Sequence, residues 1–580
     1  MKITFWKGVF VADTSAETGP QTDKILLKKA GFSPHEPTLC TDRDRCKACR
    51  AKIGRRYYTT RVEDATRLQK YCTDRALTIM KEHLDRLAKS RATDSSISIP
   101  VPDGLSYLPY QKAGIAYALQ RQHTLLGDDM GLGKTVQALG FINKVRPKTV
   151  LIVAPATLAL NWKLEAEKWL IDRYHIFIPR SGSQAIPEIG SDERLIVIAN
   201  YEKTVGITRK ETHTETTFSK SIKRVWDLLI CDEAQALKNP QSRRSQAVLG
   251  EHGLFHRAHR TLSLTGTPIE NYPKEIWPLA SRICPAKFGD WWAFARRYCG
   301  LHKEQHGERN VWVSTGSTHL GELQQRLRAS FMVRRLKADV MKELPPKRRQ
   351  LIVLESENID WSKHPQFKRW REVYEKEYEA ALARLEASKT QEEYRQAVKA
   401  MDAVVGIAFT EMSAFRHETA IAKLPMCLKY IDDLLDSGVD SLVVFAHHED
   451  VLLKTHDHYK DQAFLLYGKT PMEDRDSIVR RFQAGEKRIF IGGLKPAGTG
   501  ITLTRASTVV FLEIDWNPAT LSQCEDRLCR IGQRKMVHVI HLALDHSLDV
   551  NMSKMVIKKQ DMIDKALDHL PEHLRLRQVG

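Results

Sequence analysis

Three groups of residues, far apart in the 580-residue sequence, could carry out phosphate chemistry together. The first is a glycine-rich loop, GDDMGLGKT, at residues 127–135, which follows the apolar HTLL and precedes the helix-forming VQALGFI. In this context backbone N–H groups can bind phosphate oxygens, Lys134 can reach the β- and γ-phosphates of ATP, and Thr135 can ligate Mg²⁺. The loop residues expected to line the nucleotide are Asp128, Met130, Gly131, Leu132, Gly133, Lys134 and Thr135. The general pattern places glycine where this sequence has Asp128, so a glycine turn that caps a helix beside a lone lysine is the alternative.

The second group is an acid pair at the end of the run WDLLICDEAQ. Its apolar residues predict a buried strand that ends at Asp232 and Glu233. Open α/β sheets place catalytic groups at the carboxyl ends of their strands. There Asp232 can hold Mg²⁺, and Glu233 can orient and deprotonate an attacking water. A helix N-cap is the alternative interpretation of such a pair.

The third group is a pair of arginines in LSQCEDRLCRIGQR. Arg527 and Arg530 are three positions apart, so both lie on one face if the run is helical. A guanidinium is always protonated, and its planar fork suits the charge that develops on a γ-phosphate. Arginines supplied from a second lobe make hydrolysis depend on lobe closure, whereas a solvated basic helix face is the alternative. Gln111, in LPYQKAG just before the loop, has an amide that can both donate to and accept from an adenine edge.

The elements that must position these groups follow from the hydrophobic pattern. Short apolar runs such as TVLIVAPA and RLIVIANY alternate with helical stretches after the linker, and the same rhythm returns later with SLVVFAHH, RIFIGGL and TVVFLEID. Buried strands that alternate with crossover helices predict a parallel sheet. The predicted fold class is therefore α/β, with two parallel-sheet lobes and helical insertions.

The predicted domain order covers the whole chain. It consists of a small α+β accessory domain at 1–92, an exposed linker at 93–104, lobe 1 at 105–280, helical insertions and linker at 281–424, lobe 2 at 425–545, and C-terminal brace helices at 546–580. In the middle region an apolar stripe with helical spacing predicts a core-facing side, formed by Trp370, Tyr374, Tyr378, Ala381, Leu382 and Leu385.

Composition narrows the class of protein. Lys and Arg total 90 against 71 Asp and Glu, a formal charge of +19, which favours a polyanionic partner such as nucleic acid. The first residues, MKITFWKGVFVADTS, lack an apolar stretch of secretory length, and no uncharged run of membrane-spanning length occurs elsewhere. The 10 cysteines are too scattered for a disulfide scaffold. We therefore expect a soluble, intracellular, multidomain protein.

Taken together, the motif blocks resemble the Swi/Snf-type ATPases of helicase superfamily two. The matching blocks, between about residues 105 and 560, are LPYQKAG, DDMGLGKT, LIVAPATLALNW, DEAQALKNP, LTGTPIEN, FMVRRLKADVMKELPPK, LVVFAHH, LKPAGTGITLT and WNPATLSQCEDRLCRIGQR. The blocks MVRRLKADV and EDRLCRIGQ are far more specific than a general phosphate loop. In this family an aspartate replaces the first loop glycine, so Asp128 indicates the family. Two residues depart from the family pattern, because Ala497 stands where glycine is common and Cys529 where histidine is usual.

The resemblance implies two RecA-like lobes around ATP and a groove for duplex DNA. By this resemblance Gln111 contacts adenine, and Lys134 and Thr135 bind phosphate and Mg²⁺. Asp232 and Glu233 carry out hydrolysis. Contacts to the nucleotide from the closing lobe come from Gln523, Arg527 and Arg530. By their place in the blocks, Thr499, Gly500 and Trp516 are candidates for DNA contact, although Trp516 could equally belong to the core. Contacts mainly to phosphates imply salt-sensitive, sequence-independent binding.

Within the family, LVVFAHHEDVL, TVVFLEIDWNP and EDRLCRIGQ are most similar to the annealing helicases, which rewind DNA and remodel stalled forks. The N-terminal segment is faintly similar to their accessory DNA-binding module, with Phe32, Tyr57 and Tyr58 as structural or stacking aromatics. In the same segment Cys40, Cys46 and Cys49, with His35 and Cys72 nearby, could bind Zn²⁺. Their spacing matches no standard zinc finger, so reduced structural cysteines are the alternative.

The leading hypothesis is an ATP-dependent translocase that remodels or anneals duplex or forked DNA as a monomer. It would act in the cytoplasm or nucleoid of a prokaryote or phage, or in the nucleus of a eukaryote. A motor that displaces DNA-bound proteins is the second hypothesis, and a DNA-binding scaffold that uses ATP only to switch shape is the third. The presence of Lys134, Glu233, Arg527 and Arg530 together argues against the scaffold.

Overall fold

The structure, a computed structural model, covers both predicted lobes and part of the N-terminal region. It describes residues 2–6, 9–13, 56–59, 68–205, 207–209, 212–306, 309–341, 347–355, 409–494, 501–515, 518–530 and 532–545, together with residues 27, 30, 66 and 547. The predicted apolar stripe at 370–385 lies outside these residues. Among the described helices, none is long and apolar enough to cross a membrane.

The described part of the N-terminal region is a small antiparallel sheet followed by a long helix. Strands β1 (Lys2–Trp6), β2 (Val9–Asp13) and β3 (Arg56–Thr59) pair in that order. Helix α1 spans Asp74–Arg91 and is capped by the hydroxyl of Thr73. A three-stranded sheet and one helix match the α+β composition predicted for this region.

The segment that follows α1, predicted as an exposed linker, is extended but packs against lobe 1. Ile99 is only 8% exposed, and Ile97 and Val101 pack against the same core cluster. The Tyr107 hydroxyl also donates to the Pro100 carbonyl at 3.2 Å. Most other residues of the segment are exposed, so it runs along the surface of lobe 1 with Ile99 turned into the core.

Lobe 1 is built on a parallel sheet of seven strands. The strands of this part of the chain are β4 (His123–Leu126), β5 (Thr149–Ala154), β6 (His175–Phe177), β7 (Leu195–Asn200), β8 (Ile207–Arg209), β9 (Thr212–Thr214), β10 (Trp226–Asp232), β11 (Ala258–Leu264), β12 (His302–His306), β13 (Arg309–Val313) and β14 (Met332–Val333). The sheet order is β14-β4-β11-β10-β5-β7-β6, while β8 with β9 and β12 with β13 form separate antiparallel hairpins.

Helices cover both faces of this sheet. They are α2 (Pro109–Leu119), α3 (Lys134–Val145), α4 (Ala159–Trp169), α5 (Tyr201–Val205), α6 (Thr217–Ser221), α7 (Arg243–Leu249), α8 (Trp277–Ile283), α9 (Pro285–Phe288), α10 (Trp291–Tyr298), α11 (Leu320–Ser330) and α12 (Lys337–Val340). Along β5, Val150 and Ile152 belong to one buried cluster, whereas Leu151 and Val153 belong to another. Successive strand residues face opposite sides, so a sheet covered on both faces buries a continuous apolar run.

Lobe 2 repeats this architecture with six parallel strands. Its strands are β15 (Lys347–Leu354), β16 (Leu442–Ala446), β17 (Ala463–Leu466), β18 (Ile489–Gly493), β19 (Thr508–Phe511) and β20 (Val537–Leu544), in the sheet order β15-β20-β19-β16-β18-β17. Its helices are α13 (Phe409–Asp436), α14 (Glu449–Tyr459), α15 (Met472–Ala484) and α16 (Pro518–Glu525). Two buried clusters again lie on the two faces of the sheet.

The two parallel sheets confirm the predicted α/β fold class. The segment 281–424, predicted as helical insertions and linker, also contributes one strand to each lobe, because β14 joins the first sheet and β15 the second. β14 is two residues long, and β15 begins with a basic stretch before an apolar run at 351–354 that is exposed or half-buried, so neither has the buried apolar pattern of a central strand. β14 ends at Val333 in the first sheet, and β15 begins at Lys347 in the second.

Candidate functional site

The glycine-rich loop connects β4 to α3 at the carboxyl edge of the first sheet. The loop ends at Gly133, whose φ of 72° places it in the left-handed region. A Cβ atom there would lie 2.5 Å from Gln111 Nε2, so glycine is required for both conformation and space. The loop runs directly into the N-terminus of α3, where unpaired backbone N–H groups favour anions such as phosphate.

Lys134 occupies the first position of α3 and points back over the loop. Its ammonium donates to the carbonyls of Asp128 at 2.8 Å and Asp129 at 3.2 Å. Burial lowers the pKa of Lys134, while the carboxylates of Glu233 and Asp128 oppose that change. A cation held by carbonyls beside a helix N-terminus can transfer its hydrogen bonds to phosphate oxygens when a nucleotide binds.

Asp128, which replaces the usual loop glycine, forms a fully buried ion pair with Arg335. Asp128 Oδ1 accepts from the Arg335 backbone N–H and from Nε, each at 2.9 Å, and Oδ2 accepts from Nη2 and from Gln137 Nε2. Burial alone raises the pKa of Asp128, but the Arg335 guanidinium and the Gln137 amide hold it below its ordinary value. The aspartate therefore fastens the loop to the segment that follows β14.

The acid pair lies at the end of β10, separated from β4 by β11. Asp232 Oδ2 accepts from Trp162 Nε1 at 2.8 Å, and Oδ1 accepts from the backbone N–H of Glu233 at 3.0 Å. Burial and the neighbouring Glu233 carboxylate raise the pKa of Asp232 to about 7. Glu233 itself has a φ of 49°, an uncommon left-handed conformation for a residue with a side chain, and it accepts from Gln235 Nε2 at 2.7 Å. Such backbone strain is often found at catalytic positions.

The residues near the loop fit a magnesium ion. Asp232 offers carboxylate oxygens whose ionised form is disfavoured by burial and by Glu233, and a divalent cation would favour that form. Thr135, half-buried in the first turn of α3, supplies a hydroxyl at the adjacent strand-to-helix loop. Mg²⁺ is commonly held by one or two protein oxygens together with substrate phosphates, and it neutralises charge on the phosphates.

Gln111, predicted to contact adenine, is only 3% exposed and is engaged within the protein. Its Oε1 accepts from the Leu108 N–H at 3.0 Å, which caps α2, and its Nε2 donates to the Leu132 carbonyl at 3.4 Å. The amide therefore braces the loop from the side of α2. Contact with adenine stays a prediction.

The two arginines reach this site from lobe 2, just after α16. Burial lowers the pKa of Arg527, and the Glu233 carboxylate of lobe 1 counteracts this. Arg530 lies against the loop, because a Cβ atom placed on Gly131 would lie 3.4 Å from Arg530 Cγ. Arg530 Nη1 donates to Thr502 Oγ1 at 3.0 Å. Burial and the neighbouring Arg527 lower the pKa of Arg530 to about 10. Gln523 is half-buried within α16, and its contact with the nucleotide stays a prediction.

The TGT sequence after β11 lies between the loop and the acid pair. The Thr265 N–H donates to the Leu126 carbonyl at 3.1 Å, and Thr265 Oγ1 accepts from the Thr267 N–H at 3.0 Å. Gly266 leaves room for Met130 of the loop, because a Cβ atom there would lie 2.4 Å from Met130 Cγ. This segment therefore packs directly on the nucleotide loop.

Four residues that support the site were not assigned a role from the sequence: Trp162, Gln137, Arg335 and Lys337. Trp162 lies in the block LIVAPATLALNW, and Arg335 and Lys337 lie in FMVRRLKADVMKELPPK. The family resemblance therefore pointed to these three residues but gave no role for them. Thr499, Gly500 and Trp516, as well as Cys40, Cys46 and Cys49, lie outside the described residues. Within the described part of the chain, no cluster of three or more His, Cys, Asp or Glu residues could hold a metal ion.

Comparison with known proteins gives two family matches in chain order. Residues 110–403 match the model of the SNF2-related domain, and residues 423–532 match the helicase conserved C-terminal domain. The chain is similar to the DNA annealing helicase and endonuclease ZRANB3 of Bos taurus, with 31% identity over 485 residues that cover 82% of this chain and 42% of the relative.

It is also similar to the SWI/SNF-related matrix-associated actin-dependent regulator of chromatin subfamily A-like protein 1 of Xenopus tropicalis. That match has 30% identity over 499 residues and covers 84% of this chain and 47% of the relative. A solved structure of the Sulfolobus solfataricus SWI2/SNF2 ATPase core in complex with dsDNA matches with 20% identity and a TM-score of 0.36, over 80% of this chain and 98% of that one.

These comparisons identify the family of the chain and show how much of each relative it covers. The chain spans less than half the length of the two curated relatives. The SNF2-related model alone matches more than half of the chain, from residue 110 to residue 403 of 580. The protein therefore belongs to the SNF2-related family and carries the helicase C-terminal domain in its second lobe.

Proposed function

We propose that the chain hydrolyses ATP between its two lobes and uses the energy to move along duplex or forked DNA, which it remodels or anneals. The observation that carries the proposal is the position of Arg530, from lobe 2, against the nucleotide loop of lobe 1, where a Cβ atom placed on Gly131 would lie 3.4 Å from Arg530 Cγ. A base at the end of a strand and an arginine from the opposite lobe are what a hydrolysis coupled to lobe closure needs. Neither lobe holds both groups.

In this proposal Lys134 binds the β- and γ-phosphates and Glu233 accepts a proton from the attacking water. Arg527 and Arg530 stabilise the charge that develops on the γ-phosphate. Thr135 and Asp232 would hold Mg²⁺, which would neutralise further charge on the phosphates. Since lobe 2 supplies the arginines, each cycle of hydrolysis is expected to close and then release the lobes, which is the motion a translocating motor requires.

DNA as the substrate is supported by charge and by the relatives. The formal charge of +19 favours binding to a polyanion, and relatives from Bos taurus and Homo sapiens are described as DNA annealing helicases. We propose Thr499, Gly500 and Trp516 as contacts to the tracked strand. We also propose that the protein acts as a monomer in the cellular compartment that holds DNA.

The test is the rate of ATP hydrolysis without DNA and with duplex, single-stranded and forked DNA at matched nucleotide concentrations. We expect duplex or forked DNA to raise the rate and added salt to reduce the stimulation, because the contacts are mainly to phosphates. Equal rates under all four conditions would refute the DNA motor. Stimulation that appears only when a protein is also bound to the DNA would favour the displacement hypothesis.

Zinc binding by Cys40, Cys46 and Cys49 is a separate prediction. Elemental analysis of the purified chain measures it directly, and zinc in a stoichiometric amount that is lost in the variant Cys46→Ser would support the zinc site. A wild-type chain without zinc would leave these cysteines as reduced structural residues.

A further inference from the structure

The short segment that leaves β14 is fastened to the nucleotide loop. We call residues 332–337 the connector. Arg334 Nη1 donates to the carbonyl of Gly127 at 2.7 Å and to the carbonyl of Gly266 at 3.0 Å. Its neighbour Arg335 forms the buried ion pair with Asp128. Hydrogen bonds to the start of the nucleotide loop and to the TGT segment after β11 make the connector a fixed part of lobe 1.

At its end the connector reaches into lobe 2 through Lys337. The backbone N–H of Lys337 lies 3.4 Å from Asp129 Oδ2, which belongs to the nucleotide loop. The ammonium lies 2.8 Å from the Cys529 carbonyl and 2.8 Å from Asp526 Oδ1. The Lys337 side chain is 11% exposed and that of Asp526 is 7% exposed, so solvent screens this contact only weakly.

The partners of Lys337 in lobe 2 are next to the arginines of the site. Asp526 immediately precedes Arg527, and Cys529 immediately precedes Arg530. The side chains of Lys337 and Arg530 also converge on the loop, because a Cβ atom placed on Gly131 would lie 3.3 Å from Lys337 Cε and 3.4 Å from Arg530 Cγ. The ammonium therefore fixes the backbone of the arginine segment at a set distance from the nucleotide loop.

Two other cations, both from lobe 2, bind Asp526 or its neighbour Glu525. Lys347 pairs with Asp526 and lies 3.2 Å from Glu525, and Arg349 Nε donates to Glu525 at 2.8 Å. Both project from β15, which pairs with β20 of the second sheet. They hold the arginine segment to its own lobe, whereas Lys337 holds it to the nucleotide loop.

We infer that Lys337 is a positioning residue for ATP hydrolysis, which sets the separation between the nucleotide loop and the two arginines when the lobes are closed. The inference rests on the proposed hydrolysis and adds to it a residue that touches no nucleotide. Its loss lets the arginines drift from the γ-phosphate while Lys134 and the loop still bind ATP. A displacement of reacting groups by about 1 Å can lower a rate by about 100-fold.

The experiment compares Lys337→Met with Lys347→Met in the full chain, in the presence of duplex DNA. Each variant removes one of the two ammonium groups that pair with Asp526. The other lysine remains in each case, so both variants are expected to fold. For Lys337→Met we expect kcat to fall by about tenfold or more, with little change in the KM for ATP or in binding of a non-hydrolysable ATP analogue. For Lys347→Met we expect kcat close to wild type.

Lys337→Arg is the rescue variant, because it restores a cation to the carbonyl and the carboxylate. We expect it to recover part of the kcat lost in Lys337→Met. If Lys337→Met does not fold, as judged by thermal unfolding, Lys337→Gln is measured in its place, with the same fall in kcat expected because the charge is lost.

Several results would overturn the inference while leaving the proposed function standing. They are a wild-type kcat in Lys337→Met, an equal loss in Lys347→Met, or a rise in KM without a fall in kcat. Failure of the proposed function is recognised separately, since the wild-type chain itself would then hydrolyse no ATP in the presence of DNA.

Discussion

Replacing Asp128 with glycine makes the loop match the general phosphate-loop pattern, and we expect this change to damage the protein. The Asp128 carboxylate is fully buried and accepts hydrogen bonds from Arg335 and Gln137. Glycine removes these bonds and leaves the Arg335 guanidinium, only 2% exposed, without its counter-charge. Removal of one partner from a buried ion pair costs about 3–5 kcal/mol.

Because the chain has two lobes, a single unfolding midpoint would mix their stabilities. Hydrogen exchange measured by mass spectrometry at peptides from α3 reports the local opening of lobe 1. We expect exchange in Asp128→Gly to be faster by two to four orders of magnitude, which corresponds to the loss of about 3–5 kcal/mol. The KM for ATP is expected to rise in the same variant, because the loop is no longer fastened to the connector.

Two further variants separate the buried charge from other causes. Asp128→Asn keeps the size of the side chain but turns an amide group toward the N–H donors of Arg335 and Gln137, so we expect faster exchange here too. Asp172→Asn breaks an exposed ion pair with Arg146, whose side chain is 55% exposed, and we expect little change. Exchange at α3 that is unchanged in Asp128→Gly would refute the reasoning from the buried pair.

Three other predictions concern the acid pair and lobe 2. Glu233→Gln is expected to keep ATP binding and to lower turnover by about 10²–10⁴-fold, because the amide cannot accept a proton from the attacking water. Nucleotide titration measures the binding and phosphate release measures the turnover. Undiminished turnover would contradict the assignment of Glu233 as the base. Trp162→Phe keeps an aromatic ring but removes the N–H that donates to Asp232 at 2.8 Å. Because this hydrogen bond orients the carboxylate, the Mg²⁺ concentration for half-maximal hydrolysis is expected to rise about tenfold. An unchanged Mg²⁺ dependence would count against this role of the indole. In lobe 2, burial raises the pKa of Glu513, but the His448 ring and the backbone N–H groups outweigh it and lower that pKa to about 2. The folded value lies below the unfolded value of about 4.3, so ionised Glu513 stabilises the protein above about pH 4, and this contribution is lost as the pH falls toward 2. Circular dichroism during acid titration is expected to show a shallower loss of structure in Glu513→Gln over this range, and a titration as steep as that of the wild type would exclude the contribution.

Local patterns were sufficient to predict both sheets and the chemical groups of the site. The run TVLIVA is buried as β5, and WDLLICD forms β10 and ends at Asp232. These elements could be predicted because a strand covered on both faces needs only a short apolar run. Similarly, a turn with positive φ before a helix favours a glycine such as Gly133.

The edges of the lobes could not be predicted in the same way. β14 has two residues and pairs with β4, more than 200 positions earlier in the chain. β15 contains Lys347, Arg348 and Arg349 and pairs with β20. β14 is too short to show a pattern, and the apolar run of β15 at 351–354 follows a basic stretch and is only partly buried, so hydrogen bonds to a distant neighbour define both strands.

Residues close together in the chain were enough to predict two parallel-sheet lobes, a glycine-rich loop with Lys134 and a pair of carboxylates at the end of a strand. The pairing of charges depends on contacts between distant parts of the chain. Asp128 pairs with Arg335, 207 positions away, and Lys337 reaches Cys529, 192 positions away. A buried charge must find a partner, but the path of the chain through both sheets decides which partner is within reach.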